Sequence, residues 1–187
     1  MASLWSQVQA AIEHEFSDLA EIDEITQVCV RLVVAMLLSG LIGYNRERGR
    51  HSAGLRTHML VGLGSAIVMI VAAQSGASLD ASARVIQGLL AGIGFLGAGA
   101  IIKFDSKSQV HGLTTAASIW VTATIGIAAG MGREWTAIIA TAFVLLVLAL
   151  LLPIERAIDR RQRRDSARHH DEPRREDDPR AEDAAPR

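Results

Sequence analysis

Cysteine, proline and aromatic side chains are scarce in this 187-residue chain. The single Cys29 cannot form an internal disulfide, and no group of Cys and His residues has the spacing of a metal site. Charge is also missing from long stretches, because the 19 basic and 20 acidic residues are concentrated in residues 13–24, 46–56 and 155–187. These absences argue against a disulfide-stapled or zinc-stabilised domain. The distribution of charge, with half of all residues hydrophobic, is typical of a polytopic membrane protein.

Long uncharged runs predict an all-α membrane protein with five transmembrane helices. The run from Val85 to Ile102 has 18 apolar or small residues. As a helix it is about 27 Å long, close to the thickness of one bilayer hydrocarbon core. Pro153 ends the last run, as proline commonly does after a helix. The five predicted spans are residues 25–44, 57–75, 85–102, 113–131 and 135–152.

Two polar segments flank this membrane domain, which we assign to residues 25–153. Residues 1–24 contain a helical stripe of apolar residues, which predicts an amphipathic helix at the membrane surface or, alternatively, a helix packed on the ends of the spans. We expect no signal peptide here, because a basic start and an apolar core are missing. The stripe consists of Leu4, Val8, Ile12, Phe16 and Leu19.

The segment 154–187 contains ten Arg and ten acidic residues and almost no large apolar side chain. It cannot bury enough surface to offset the entropy of ordering, so we predict a disordered tail, with a helical stub at residues 154–162. Its first arginines lie next to the membrane and are expected to contact anionic lipid.

The basic residues also predict the orientation of the chain. Residues 45–56 contain four Arg and the tail contains ten, whereas the two loops on the opposite side carry only Arg84 and Arg133. By the positive-inside rule the N-terminal segment is outside and the C-terminus is cytoplasmic. This orientation requires an odd number of spans.

Charged residues within or beside the spans have two interpretations each. Arg31 lies about 9 Å from the start of the first span, so it reaches the headgroups or pairs with nearby acidic residues; a functional charge is the alternative. Asp80 and Arg84, at the outer start of the third span, are spaced as a helix-start ion pair, and the alternative is a gate or an outer ligand site.

The third span is unusually rich in glycine. Its sequence from Gly92 to Ala98 matches the dinucleotide fingerprint G-x-G-x-x-G/A, but no strand-to-helix turn and no acidic residue about 20 positions on accompany it, so we reject nucleotide binding. Small residues on one face let a second helix approach closely in lipid. We therefore predict a helix-packing face with Trp120 packed against it, consisting of Gly88, Gly92, Gly94, Gly97 and Gly99.

Two small-residue pairs, Gly88-xxx-Gly92 and Gly126-xxx-Gly130, favour a homodimer. A weak internal repeat is also visible, since Gly54-Leu-Arg-Thr57 and Gly112-Leu-Thr-Thr115 each begin a span that enters from the cytoplasm. The repeat predicts two parallel hairpins followed by a fifth helix.

Polar residues of the two cytoplasmic loops are expected to form a cluster. Arginines, Thr hydroxyls and two helix N-termini would suit an anion or an acidic partner surface. Alternatively, the threonines cap helices and the arginines set the topology, while His58 is either a helix-start residue or a pH sensor. The predicted binding residues are Arg46, Glu47, Arg56, Thr57, His58, Thr114 and Thr115, with Asp105 and His111 nearby.

Three sequence blocks resemble the MgtC/SapB family of bacterial inner-membrane proteins. They are Ala53-Gly-Leu-Arg-Thr-His-Met-Leu-Val61, the glycine run at 92–99, and His111-Gly-Leu-Thr-Thr-Ala-Ala-Ser-Ile-Trp120. The resemblance implies a five-span domain linked to magnesium-limited growth, acid tolerance and survival inside host cells and, for some members, restraint of the F-type ATP synthase. The chain resembles the short SapB-like type, without a folded C-terminal domain. For a bacterial inner-membrane protein, the predicted orientation implies that residues 1–24 are periplasmic.

One family motif departs from its usual pattern. Gly43-Tyr-Asn45-Arg-Glu47 stands where the family usually has Gly-x-Glu-Arg-Glu. The loss of one carboxylate weakens the case for a divalent-ion site, because Mg²⁺ binds through hard oxygen ligands.

These observations favour a non-enzymatic regulator in the bacterial inner membrane that contacts lipid and binds a membrane-protein partner. An oligomeric channel or transporter lined by Gln87, Gly94 and Gly97 is the alternative. We expect no enzyme, since a zinc-ligand pair, a nucleophile-elbow serine and paired carboxylates inside the spans are all missing. We also expect no cofactor and no nucleic-acid partner.

Overall fold

The computed structural model describes residues 4–15, 22–103 and 110–150. Within these ranges two short strands, β1 (Ile102–Lys103) and β2 (Val110–His111), pair antiparallel. All other regular structure in them is helical. The helices are α1 (Leu4–Glu15), α2 (Ile22–Arg48), α3 (Leu55–Gln74), α4 (Leu79–Gly99), α5 (Leu113–Gly130) and α6 (Glu134–Leu150).

The helices α2, α3, α4 and α5 are each long and apolar enough to cross a membrane. The protein is therefore an all-α polytopic membrane protein, as the sequence predicts. The predicted fifth span corresponds to α6, a shorter apolar helix whose last described residue is Leu150. Residues 151–187, including the end of that span, the helical stub and the tail, lie outside the described residues. Five spans and the predicted orientation remain predictions.

The chain divides into two compact units, residues 1–145 and 146–187. In the second unit only residues 146–150 are described, and they form the last part of α6. In the first unit α1 exposes its apolar side chains, with Leu4 83% and Trp5 75% exposed. Phe16 and Leu19, which complete the predicted amphipathic stripe, lie outside the described residues.

The core of the first unit is centred on α5, which packs against α2, α3 and α4. Burial follows this arrangement, since 56% of the apolar window of α5 is buried but only 11% of that of α4. Ile119 and Ala123 of α5 join Ala53 and Ile93 in an apolar cluster. Among α2, α3, α4 and α5, α4 is thus the helix whose apolar surface is least covered by the described residues.

Close contact between α3 and α5 depends on two glycines of α5. A Cβ atom at Gly126 would lie 2.9 Å from the Cα atom of Gly62, and one at Gly130 would lie 2.8 Å from the Cα atom of Ala66. Real Cβ atoms do not approach that closely, so the helices could not pack this way with larger residues. Gly126-xxx-Gly130 is consequently an internal packing face, and its prediction as a dimer surface is wrong.

The ends of α4 differ from the predicted third span. The helix begins at Leu79, before the predicted Val85, because the Ser78 hydroxyl accepts a hydrogen bond from the Ala81 N–H at 3.2 Å. It ends at Gly99 rather than Ile102, since Ile102 already pairs with His111 in the strand ladder. Hydrophobicity marks the membrane-embedded length of a segment, whereas capping sets the length of the helix.

The two segments of the proposed repeat both begin helices, with Gly54 as N-cap of α3 and Gly112 as N-cap of α5. Their backbones differ, because φ is −107° at Gly54 and +95° at Gly112. Only Gly112 requires glycine for its conformation, and a Cβ there would overlap the Ala100 carbonyl.

Candidate functional site

A buried chain of polar side chains joins α2, α3 and α5 where α2 ends and the other two helices begin. Nη2 of Arg46 donates to Oγ1 of Thr115 at 3.1 Å. Nε2 of His58 lies 3.2 Å from Oγ of Ser118, whose hydroxyl lies 2.8 Å from the Thr115 carbonyl oxygen. All four side chains are at most 4% exposed. Residues 69 positions apart in sequence are thereby joined in one network, which we call the buried polar cluster.

The protonation of His58 sets the direction of the hydrogen bonds in this cluster. Nδ1 of His58 lies 2.8 Å from the Gly54 carbonyl oxygen, and a carbonyl only accepts, so Nδ1 carries a hydrogen. With a neutral ring, Nε2 accepts and the Ser118 hydroxyl donates to it. With a cationic ring, Nε2 donates to Ser118, whose hydrogen turns to the Thr115 carbonyl. The cluster accommodates both states by rotating one hydroxyl.

An open pocket of ≈ 650 Å³ lies beside the cluster, at the connection between α2 and α3. Oε2 of Glu47 accepts the Leu55 N–H at 2.8 Å, so this carboxylate caps α3, for which the Gly54 N-cap provides no side chain. The residues that line the pocket are Glu47, Arg50, His51, Gly54, Leu55, Arg56 and Thr57.

The structure thus divides the predicted cytoplasmic cluster into two groups. Arg46, His58 and Thr115 are buried, Glu47, Arg56 and Thr57 line the pocket, and Thr114 is exposed outside both. Asp105 lies outside the described residues, and the side-chain surroundings of His111 are not described. Binding by these residues remains a prediction.

The sequence interpretation missed three residues at this end of the molecule. Ser118 lies on the same face of α5 as Thr115, and their i, i+3 spacing could have indicated that both belong to the cluster. Arg50 and His51 belong to the loop already counted as basic, but nothing in their spacing showed that they line a pocket.

The glycines of α4 have different surroundings, and those with open space include Gly88, Gly92 and Gly99, which share one face. Gly97 packs on α5, where a Cβ would lie 3.6 Å from the Cβ of Ala116. At Gly88, Gly92, Gly94 and Gly99 a Cβ would have no atom within 4 Å in the described part of the chain. The structure does not place Trp120 on this open face, and its side chain is 46% exposed.

At the opposite end of the helices Arg31 has a structural role. Its Nη1 atom donates to the Gly130 carbonyl oxygen at 3.4 Å, at the C-terminus of α5. A cation there is favourable because the unpaired carbonyls carry negative partial charge. We expected Arg31 to reach the headgroups or to pair with acidic residues. Among the described residues no ion pair joins it to Asp23 or Glu24, and Glu21 lies outside them.

Asp80 lies in the first turn of α4, where the helix dipole favours an acidic side chain. In the described part of the chain no ion pair joins Asp80 to Arg84, so the predicted helix-start pair is not formed. No group of three or more His, Cys, Asp or Glu side chains within the described ranges is arranged to hold a metal ion.

Comparison with known proteins decides the family. A model described as the MgtC family matches residues 32–157, more than half of the chain. The chain belongs to the MgtC family. With four helices capable of spanning a bilayer, this MgtC family member is a multi-pass protein of the bacterial inner membrane and contacts lipid directly.

Individual relatives agree with this assignment. Protein SrpB of Synechococcus elongatus is 43% identical over 71% of this chain and 79% of its own length. Protein MgtC of Brucella abortus is 41% identical over 73% of this chain and 56% of its own length. YhiD of Escherichia coli K12, named as a candidate magnesium transporter, is 42% identical over 64% of this chain and 58% of its own length. The chain therefore spans little more than half of the last two relatives. No solved structure matches.

Proposed function

We propose that this MgtC family member is a non-enzymatic membrane regulator, linked to magnesium homeostasis and to stress or virulence adaptation, that acts by binding another membrane protein. The names of its relatives support the magnesium link. The open glycine face of α4 is the observation that carries the binding role.

This face has the properties of a helix-docking surface in lipid. At 100° per residue, Gly88, Gly92, Phe95 and Gly99 lie on one arc of about 60°. A Cβ atom added at any of the three glycines would have no atom of another described element within 4 Å, and Phe95 is 82% exposed. Inside a membrane, helix association depends on close backbone approach, which small residues permit. The same chain already uses Gly126 and Gly130 in this way between α3 and α5.

A transmembrane helix of a partner is the occupant that fits such a stripe. The F-type ATP synthase, which the family resemblance implies for some members, is the first partner to test. A second copy of this chain is the alternative occupant, since Gly88-xxx-Gly92 lies on the open face.

Site-specific photo-crosslinking tests this proposal in cells grown with limiting magnesium. Benzoylphenylalanine replaces Phe95 on the open face or, as a control, Phe143 on α6, which is also exposed at 64%. We expect one membrane partner to be crosslinked from position 95 and not from position 143. Mass spectrometry identifies the partner as an ATP synthase subunit, another protein or this chain itself.

A matched pair of substitutions tests whether the glycine face of α4 binds the crosslinked partner. Gly92→Leu fills the face, whereas Gly64→Leu adds the same side chain at an open glycine of α3. We expect Gly92→Leu to abolish the crosslink and growth at low magnesium, and Gly64→Leu to leave both intact at equal membrane abundance. Wild-type crosslinking by the Gly92→Leu variant would contradict the proposal.

The name of YhiD supports a second function, magnesium transport by an oligomer. Of the residues we predicted to line a pore, Gln87 and Gly94 are exposed and Gly97 is buried against α5. Proteoliposomes loaded with a magnesium-sensitive dye distinguish the two functions, because a regulator produces no Mg²⁺ flux under a gradient.

A further inference from the structure

The pocket between α2 and α3 is distinct from both the glycine face and the buried polar cluster. Neither Arg46 nor His58 lines it. It is open to solvent, and its volume of ≈ 650 Å³ is large enough for a small charged group with part of the molecule that carries it. It also lies where two membrane spans end and begin, because α2 ends at Arg48 and α3 starts at Leu55. The pocket is therefore at the level of the lipid headgroups.

The charge of the pocket favours an anion. Arg50 and Arg56, which each carry a guanidinium group, and Thr57, which carries a hydroxyl, are among the residues that line it. Glu47 is the single carboxylate of the lining, and it is already bound to the Leu55 N–H at 2.8 Å. Because Glu47 caps α3, the recognition of an anion depends on the two guanidinium groups and not on the helix terminus.

Arg50 occupies an uncommon position for an arginine. Its φ is +55°, and it closes the turn after α2, with its N–H bound to the Glu47 carbonyl at 3.0 Å and the His51 N–H bound to the Arg46 carbonyl at 3.2 Å. Glycine is the usual residue at this point of a helix C-terminus, since it has no Cβ to strain the left-handed backbone. An arginine thus lines the pocket at a position where the backbone would favour glycine.

We infer that this pocket binds a phosphate group. The planar guanidinium matches the oxygens of phosphate with two parallel hydrogen bonds, and two of them at one pocket select a multiply charged, multidentate anion. The phosphate comes either from a soluble phosphate compound or from an anionic phospholipid headgroup, both of which reach the ends of the spans. This inference does not depend on the proposed function, because it concerns a different surface.

Thermal unfolding of the full-length protein in nanodiscs tests the inference with two phosphate sources. One arm uses phosphatidylcholine nanodiscs with inorganic phosphate, compared with chloride at equal ionic strength. The other arm replaces part of the phosphatidylcholine with phosphatidylglycerol. We expect Tm to increase in at least one arm, and the arm that responds identifies the source.

Three variants show whether the increase in Tm is caused by phosphate binding in the pocket. Arg50→Gly and Arg56→Gln are expected to weaken the phosphate response by about tenfold in apparent affinity. Arg48→Gln removes an exposed arginine of α2 that lies outside the pocket, with its guanidinium 5.6 Å from the Tyr44 ring centroid, and should retain the response. Arg50→Gly should also raise Tm without phosphate, which distinguishes loss of binding from misfolding.

Two results would overturn the inference. One is the absence of a Tm increase in both arms. The other is a response that Arg50→Gly and Arg56→Gln retain in full, which would place the anion elsewhere, for example on the arginine-rich tail. The crosslinking from position 95 has a separate readout, so failure of the pocket and failure of the regulator proposal are distinguishable.

Discussion

Neighbouring threonines at the start of α5 have different surroundings. Thr115 is 3% exposed and accepts the hydrogen bond from Arg46, whereas Thr114 is exposed to the outside of the bundle. Successive residues of a helix point about 100° apart, so only one of the pair can face α2. The difference between them depends on the direction of the side chain and not on its chemistry.

Replacing each threonine by valine measures this difference. Thr115→Val keeps the shape but removes the buried acceptor of a charged donor, so we expect the free energy of unfolding to fall by about 1.5–3 kcal/mol. Thr114→Val should change it by less than about 0.5 kcal/mol. Thermal unfolding in detergent, followed by tryptophan fluorescence, gives both values. Equal effects of the two substitutions would show that the Arg46 hydrogen bond does not stabilise the fold.

The sequence correctly predicted that Arg46, His58 and Thr115 lie at one end of the molecule. It could not show that these three are buried while Thr57 and Thr114 are not. The topology brings every loop residue to the membrane surface. Whether a side chain is buried depends on the rotation of its helix about the helix axis, and a polar residue near the end of a span gives no information about that rotation. A hydroxyl such as that of Ser118 is equally hard to recognise, because small residues are common in transmembrane helices.

At the level of helices, glycines of similar spacing serve opposite purposes. Those of α5 let α3 approach, and most of those of α4 contact nothing in the described chain. The positions of α2, α3 and α5 along the sequence were predictable from their apolar runs. Which glycine face is internal was not, because Gly88-xxx-Gly92 and Gly126-xxx-Gly130 are the same pattern and only the packing order of the helices distinguishes them.

A glycine-to-alanine substitution in each helix separates these roles. Gly126→Ala places a methyl group against Gly62, and we expect it to destabilise the protein by about 1–3 kcal/mol through overpacking. Gly88→Ala adds the same methyl group in open space and should stabilise the isolated protein by up to about 1 kcal/mol, since alanine favours the helix. Thermal unfolding of the purified variants checks both. Destabilisation by Gly88→Ala would indicate that the face is occupied in the isolated protein.

At the level of the whole molecule, the orientation in the membrane decides which compartment each site faces. The positive-inside rule places the pocket and the buried polar cluster on the cytoplasmic side. The orientation remains a prediction from the sequence. It rests on the arginines of residues 45–56 and of the tail, and one of them, Arg46, is buried in the polar cluster.

Two serine-to-cysteine substitutions test the orientation. In a Cys29→Ala background, Ser52→Cys labels the connection between α2 and α3, and Ser75→Cys labels the connection between α3 and α4; both serines are exposed. We expect a membrane-impermeant maleimide to react with position 75 in spheroplasts, and with position 52 only after the inner membrane is permeabilised. The reverse pattern would invert the topology, and equal labelling would mean that α3 does not cross the membrane.

Two hydrogen bonds join α2 to α5, one near each end of α5. Arg31 and Arg46 are fifteen positions apart, as are Thr115 and Gly130. The two hydrogen bonds that join these residues therefore lie about 22 Å apart along both antiparallel helices. Sliding one helix along the other by one residue, about 1.5 Å, would disturb both bonds at once. Piston-like motion of α2 against α5 is therefore opposed by both hydrogen bonds at once.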